Sequence, residues 1–184
     1  MQDMPFLNEI VAHANDKVML LTLNQRQLNN SVDFLLNKLI TNNDTNIILV
    51  SFLQPATKVF EKYATKKLFV VDCSETENKT EHSIFVREPN NITQIQIAIE
   101  KAYEKMDDKG IVIFDSLNIL SIYNSGIEIG RFIYFFTNKM KLENKSCIYL
   151  MTKDSIENDT IELAKQFCDK TYDFSELYVS VEAK

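Results

Sequence analysis

Asp115 and Ser116 are the pair whose setting most invites chemistry. They close the segment Gly110-Ile-Val-Ile-Phe-Asp115-Ser-Leu-Asn118, in which a short apolar run ends in a carboxylate and a hydroxyl. Such a run reads as a strand buried on both faces. Its end therefore lies at the C-terminal edge of a sheet, where open α/β sheets bind their ligands. A carboxylate there can hold a cation, and a neighbouring hydroxyl becomes a nucleophile only when a base activates it. No Gly-x-Ser-x-Gly elbow surrounds Ser116, and for both residues local hydrogen bonding to the backbone is the competing reading. Imidazole and thiol chemistry have little to work with. His13 and His82 form no His-Glu-x-x-His pair, and Cys73, Cys147 and Cys168 are scattered singletons without Cys-x-x-Cys spacing. Neither a metal site nor a disulfide framework is read from them, and no cofactor is expected.

The elements that must position Asp115 alternate between strand and helix. A first amphipathic helix over residues 4–14 carries Phe6, Leu7, Ile10 and Val11 on one face. Strands are read at Lys17 to Leu23, Asn46 to Phe52, Lys67 to Asp72, Gly110 to Phe114 and Ser146 to Thr152, with a short extended stretch at Ser83 to Arg87. Helical stripes lie between them: Val32, Leu35, Leu36, Leu39 and Ile40; then Ala56, Val59, Phe60 and Tyr63 after Pro55; then Ile92 to Met106, opened by an Asn91/Gln94 capping pair. Asp159 with Glu162 reads as the cap of a late helix, and Lys170 to Phe174 with Leu177 to Val181 as a terminal hairpin. The pattern predicts a single three-layer α/β/α domain over 1–184, its sheet mostly parallel with an antiparallel C-terminal edge pair. The helix Gly126 to Glu143 contains Phe132-Ile-Tyr-Phe-Phe136. Five successive large apolar residues are apolar all round a helix, so either deep burial or a partner surface at Phe132, Tyr134, Phe135 and Phe136 is required.

Bulk properties narrow the function classes. A net charge of −6 on 184 residues argues against a broad nucleic-acid footprint. No apolar run approaches the roughly 18 residues of a membrane span, and Met1-Gln-Asp-Met-Pro5 begins no basic, then apolar, leader. A cytoplasmic protein with no membrane partner is expected.

From Val18 to Val181 the ordered series of elements resembles the RecA/KaiC-type ATPase domain, in its archaeal and bacterial branch. Gly110 to Ser116 is similar to that family's Walker B strand, Lys67-Leu-Phe-Val-Val-Asp72-Cys-Ser74 to its third strand, and Ile148-Tyr-Leu-Met-Thr152-Lys153 to its fifth. Pro89-Asn-Asn-Ile92-Thr93 is similar to a segment that opens a helix in archaeal relatives. The resemblance implies a RecA-like fold with nucleotide at the strand ends and Asp115 on Mg²⁺.

The departures are as informative. The family's first strand runs into Gly-x-x-x-x-Gly-Lys-Ser/Thr, whose backbone N–H groups cradle phosphate. Here the stretch is Thr22-Leu-Asn-Gln-Arg-Gln-Leu-Asn-Asn30, without glycine or lysine, and the chain's only glycines are Gly110, Gly126 and Gly130. Where the resemblance would place a catalytic glutamate after the second strand stand Leu53 and Gln54. The sequence therefore reads as a degenerate member without Walker A, a pseudo-ATPase that acts by binding in regulation or signalling through a protein partner or self-association. Arg26, Asp115, Ser116, Thr152 and Lys153 remain as a vestigial candidate site. They carry the alternative reading, non-hydrolytic binding of a nucleotide or small anion.

Overall fold

The structure, a computed structural model, describes residues 5–14, 17–42, 45–74, 80–107, 110–156 and 158–176. Its strands are β1 (Val18–Leu23), β2 (Ile47–Ser51), β3 (Leu68–Asp72), β4 (Ser83–Phe85), β5 (Ile111–Phe114), β6 (Ser146–Thr152) and β7 (Lys170–Asp173). They form one sheet in the order β4-β3-β2-β5-β6-β1-β7, and every pairing is parallel. β1, β2, β3, β5 and β6 are buried at every residue. That is why their sequences are continuous apolar runs rather than alternating ones. β5 stands at the middle of the sheet. The edge strands β4 and β7 are only part-buried. At the C-terminal edge β7 lies parallel to β1, because α6 (Asn158–Phe167) carries the chain back before it enters the sheet. The expected hairpin partner, 177–181, falls outside the described residues.

Helices cover both faces. α1 (Pro5–His13), α2 (Gln25–Asn42) and α3 (Ala56–Lys62) pack on one through Ile10, Leu28, Leu35, Leu39 and Val59. α4 (Ile92–Lys105), α5 (Gly126–Leu142), α6 and a 3-10 helix over Leu117–Ile122 pack on the other through Ile95, Ile99, Leu120, Ile133 and Ile161. The starts of these helices follow their side chains. Asn91 Oδ1 accepts from the Gln94 amide at 3.2 Å, while the Gln94 side chain turns to Glu88, so only half of the expected capping box forms. The complete box is at α5, where Ser125 and Glu128 satisfy each other's amides. Asp159 lies inside the first turn of α6 rather than capping it. There its carboxylate suits the positive end of the helix dipole. Gly130 leaves room for Leu163 of α6 against α5.

Candidate functional site

Two crevices are expected at the C-terminal edge, wherever adjacent strands send their connections to opposite faces. β2 leads to α3 on one face and β5 to α5 on the other; β1 leads to α2 and its neighbour β6 to α6. The first crevice is the place of Asp115. Its carboxylate is turned inward, only 2% exposed. One oxygen accepts from the Phe52 amide at 2.9 Å; the other accepts from the Ser51 hydroxyl at 3.0 Å and the Leu53 amide at 3.3 Å. Burial pushes its pKa up to about 6, against these bonds and that of Ser116, which hold it down. The carboxylate thus ties the end of β5 to the loop leaving β2. What remains beside it is a cavity of about 20 Å³ between Asn29, Asp33, Ser51, Leu53, Tyr63 and Asp115, room for about one water and far short of a nucleotide. None of Arg26, Ser116, Thr152 or Lys153 lines it.

The second crevice is occupied from both sides. β1 passes into α2 through Asn24 alone. The Gln27 amide donates to Asn24 Oδ1 at 3.1 Å, and the Asn24 amide donates to Gln27 Oε1 at 2.9 Å. This reciprocal box uses two of the helix-start N–H groups, those of Asn24 and Gln27, that a phosphate cradle would present outward. Opposite it, Asn118 closes on the tip of β6: its Nδ2 donates to the Thr152 carbonyl at 2.7 Å, and its Oδ1 accepts from the Thr152 amide at 2.7 Å. The end of β3 is bound in the same manner, with Asp72 accepting from the Ala56 amide at 2.8 Å and from the Ser74 hydroxyl at 2.6 Å.

The residues singled out in the sequence are placed unequally. Arg26 is exposed on the first turn of α2. Ser116 is buried and starts the 3-10 helix without a side-chain capping bond. The Thr152 side chain is fully buried with its hydroxyl unpartnered. Lys153 pairs with Asp173 at 2.7 Å. Phe132 and Phe136 are core residues, stacked edge-on against Phe114 at 5.7 and 5.5 Å, and so leave the partner-surface assignment. Tyr134 and Phe135 are exposed and remain in it. About 100° between successive helical residues separates the two pairs. Asn24, Gln27 and Asn118 were missed. The Asn-x-x-Gln spacing of a capping box signals the first two, whereas nothing local to Asn118 points to Thr152.

Elsewhere along this edge an open depression of about 600 Å³ lies between the 3-10 helix, the start of α5 and α6, with Ser121, Asn124, Asp154 and Thr160 in its lining. It contains none of the sequence-predicted residues. Among the described residues no three His, Cys, Asp or Glu side chains are grouped to hold a metal, and no described helix is long and apolar enough to cross a membrane.

No family model and no curated protein matches the chain. Among solved structures, a KaiC-like protein from the hyperthermophilic archaeon Pyrococcus horikoshii is similar with a TM-score of 0.62 and 11% identity, over 90% of this chain and 74% of that one. The cytoplasmic domain of EssC is similar with a TM-score of 0.42 and 14% identity, over 81% of this chain and 30% of that one, which is too slight to argue from. The first likeness shows the fold: a parallel α/β sheet of the RecA/KaiC-like kind.

Proposed function

We propose that this RecA/KaiC-like domain is a pseudo-ATPase that acts by binding a protein partner in regulation or signalling in the cytoplasm. One observation carries the reading: at the turn between β1 and α2 two of the helix-start amides, those of Asn24 and Gln27, are answered by Gln27 and Asn24 of the chain itself, where hydrolysis would need the helix start on phosphate. The inward carboxylate of Asp115, already accepting three hydrogen bonds, supports it. A Mg²⁺-bound carboxylate has to face its ion with free lone pairs. Preserved strands and caps around a withdrawn site are what a domain retained for its surface would have.

The test is a titration of ATP and GTP with Mg²⁺, following melting temperature and phosphate release. A ligand at 100 times its dissociation constant adds about 2.7 kcal/mol, a rise of several degrees for a domain of this size. The expected result is neither a shift nor turnover. A shift that is lost in Asp115→Ala would overturn the reading in favour of retained nucleotide binding at Asp115.

A further inference from the structure

The outer face of α5 carries a stripe that the described chain leaves largely open, α6 touching it where Phe167 meets the Tyr134 ring edge-on at 5.0 Å. Ile127, Arg131, Tyr134, Phe135, Asn138 and Leu142 are all exposed, the four apolar members at 67%, 43%, 64% and 83% in chain order. At 3.6 residues per turn the six fall within an arc of about 100°. That arc is opposite the buried face of Ile129, Ile133, Phe136 and Met140. Isolated exposed apolar residues need no explanation, but a contiguous row along a whole helix does.

The row has an internal symmetry. Its members are separated by four, three, one, three and four residues, so the spacing reads the same from either end. The midpoint falls between Tyr134 and Phe135. A surface that packs on its own copy about a two-fold axis must be self-complementary in this sense, residue i meeting j as j meets i. Laid antiparallel on a second α5, the stripe sets Ile127 against Leu142, Tyr134 against Phe135, and Arg131 against Asn138, whose amide oxygen can accept from the guanidinium. Glu128 and Lys139 lie on one flank of the helix, so each Glu128, held in its own capping box, comes near the other copy's Lys139, which in its own chain pairs with Glu100 at 2.6 Å. A parallel pairing would instead oppose Arg131 to Arg131.

The geometry points to α5 as a homodimer interface, a second copy of this chain packing antiparallel on the Ile127 to Leu142 stripe. The role of binding proposed above is refined by it but tested separately, since nucleotide titration does not report on association. A helix of 17 residues is about 25 Å long. A contact of that length is smaller than the roughly 800 Å² per partner of a standard interface, so the dimer is a weak one, half formed at tens to hundreds of micromolar.

Sedimentation velocity of the full chain over that concentration range tests it. The 21.3 kDa monomer should pass to twice that mass as concentration rises. Phe135→Glu, at an exposed position, should keep the far-UV spectrum and melting temperature and lose the dimer. Asn138→Glu should tighten association by about threefold or more at low salt, through two new pairs with Arg131 of the opposing copy, and the gain should fade at high salt. A chain monomeric throughout overturns the inference and leaves the stripe to a different partner. A dimer that survives Phe135→Glu lies elsewhere and overturns it too. An Asn138→Glu variant that associates no better than the parent refutes the antiparallel register.

Discussion

Asp115→Asn should change the sign of its effect on stability with pH, and the reason lies in the bonds around one carboxylate. Asparagine keeps the shape and one acceptor oxygen, which can still receive the Phe52 amide, now at 2.9 Å from Asp115. It lacks the second acceptor, so the Leu53 amide, now 3.3 Å from that oxygen, loses its partner. The Ser51 hydroxyl can turn its single proton from the carboxylate to the Gln54 carbonyl, 2.8 Å away. One unsatisfied, part-buried donor costs about 1–2 kcal/mol. Against this stands the cost of the buried charge. The carboxyl pKa rises from 3.8 to about 6 on folding, about two units at about 1.4 kcal/mol each, so the ionised form loses about 3 kcal/mol relative to the protonated form. The direction follows from linkage: the folded state binds the proton more tightly, so unfolding releases it between pH 4 and 6 and stability falls as pH rises through that window. The variant has no such fall. At pH 7 Asp115→Asn should therefore be equal to the parent or more stable by about 1 kcal/mol, and at pH 4.5 less stable by a similar amount. Urea unfolding of both proteins at several pH values between 4.5 and 7 measures the difference, in which other titrating groups largely cancel. A difference independent of pH would refute the claim that the carboxylate is buried and spent on the chain's own amides.

Other substitutions probe the remaining contacts of the strand edge. Asn118→Ala leaves the buried amide and carbonyl of Thr152 without their 2.7 Å partners and should cost about 3 kcal/mol in urea unfolding. Thr152→Val removes a buried hydroxyl that bonds to nothing and should raise stability by about 1 kcal/mol, seen as a higher denaturation midpoint with unchanged slope. Asn24→Ala should cost about 1 kcal/mol. Paired with Gln27→Ala in a double-mutant cycle, it should show coupling, because the two side chains form one reciprocal cap. Gly110→Ala places a Cβ at φ +147° and 3.0 Å from the Asn46 carbonyl, and should cost about 2 kcal/mol by calorimetry.

The layered fold was legible because burial on both sides leaves strands such as Ile47–Ser51 and Ile111–Phe114 no polar alternation to disguise them. That the last strand, Lys170 to Asp173, joins the sheet beside β1 was not legible, since it alternates in exposure as any edge strand does. At the site, the lack of glycine near Asn24 was plain in the sequence, but what replaced the cradle was not. The Asn24/Gln27 box has the Asn-x-x-Gln spacing of a capping box, which can be read from the sequence. The bond of Asn118 to Thr152 spans 34 residues and has no local signature. Asp115 was found, and hydrogen bonding to neighbouring backbone was the preferred alternative to metal binding. Its partners on the loop after β2 required the fold. The aromatic run Phe132 to Phe136 is not one unit, since the helical turn divides it into two core rings and two exposed ones.

The most direct test of the account is amide NMR of the chain titrated with Mg²⁺ and ATP to several millimolar, reading Gln25, Arg26 and Gln27 at the start of α2 and Phe52 and Leu53 after β2. These N–H groups would receive phosphate or lose Asp115 to an ion in a working site. The account predicts that none of the five moves. Saturable shifts at the α2 start, accompanied by release of the Phe52 and Leu53 amides from Asp115, would contradict it and restore the edge as a nucleotide site.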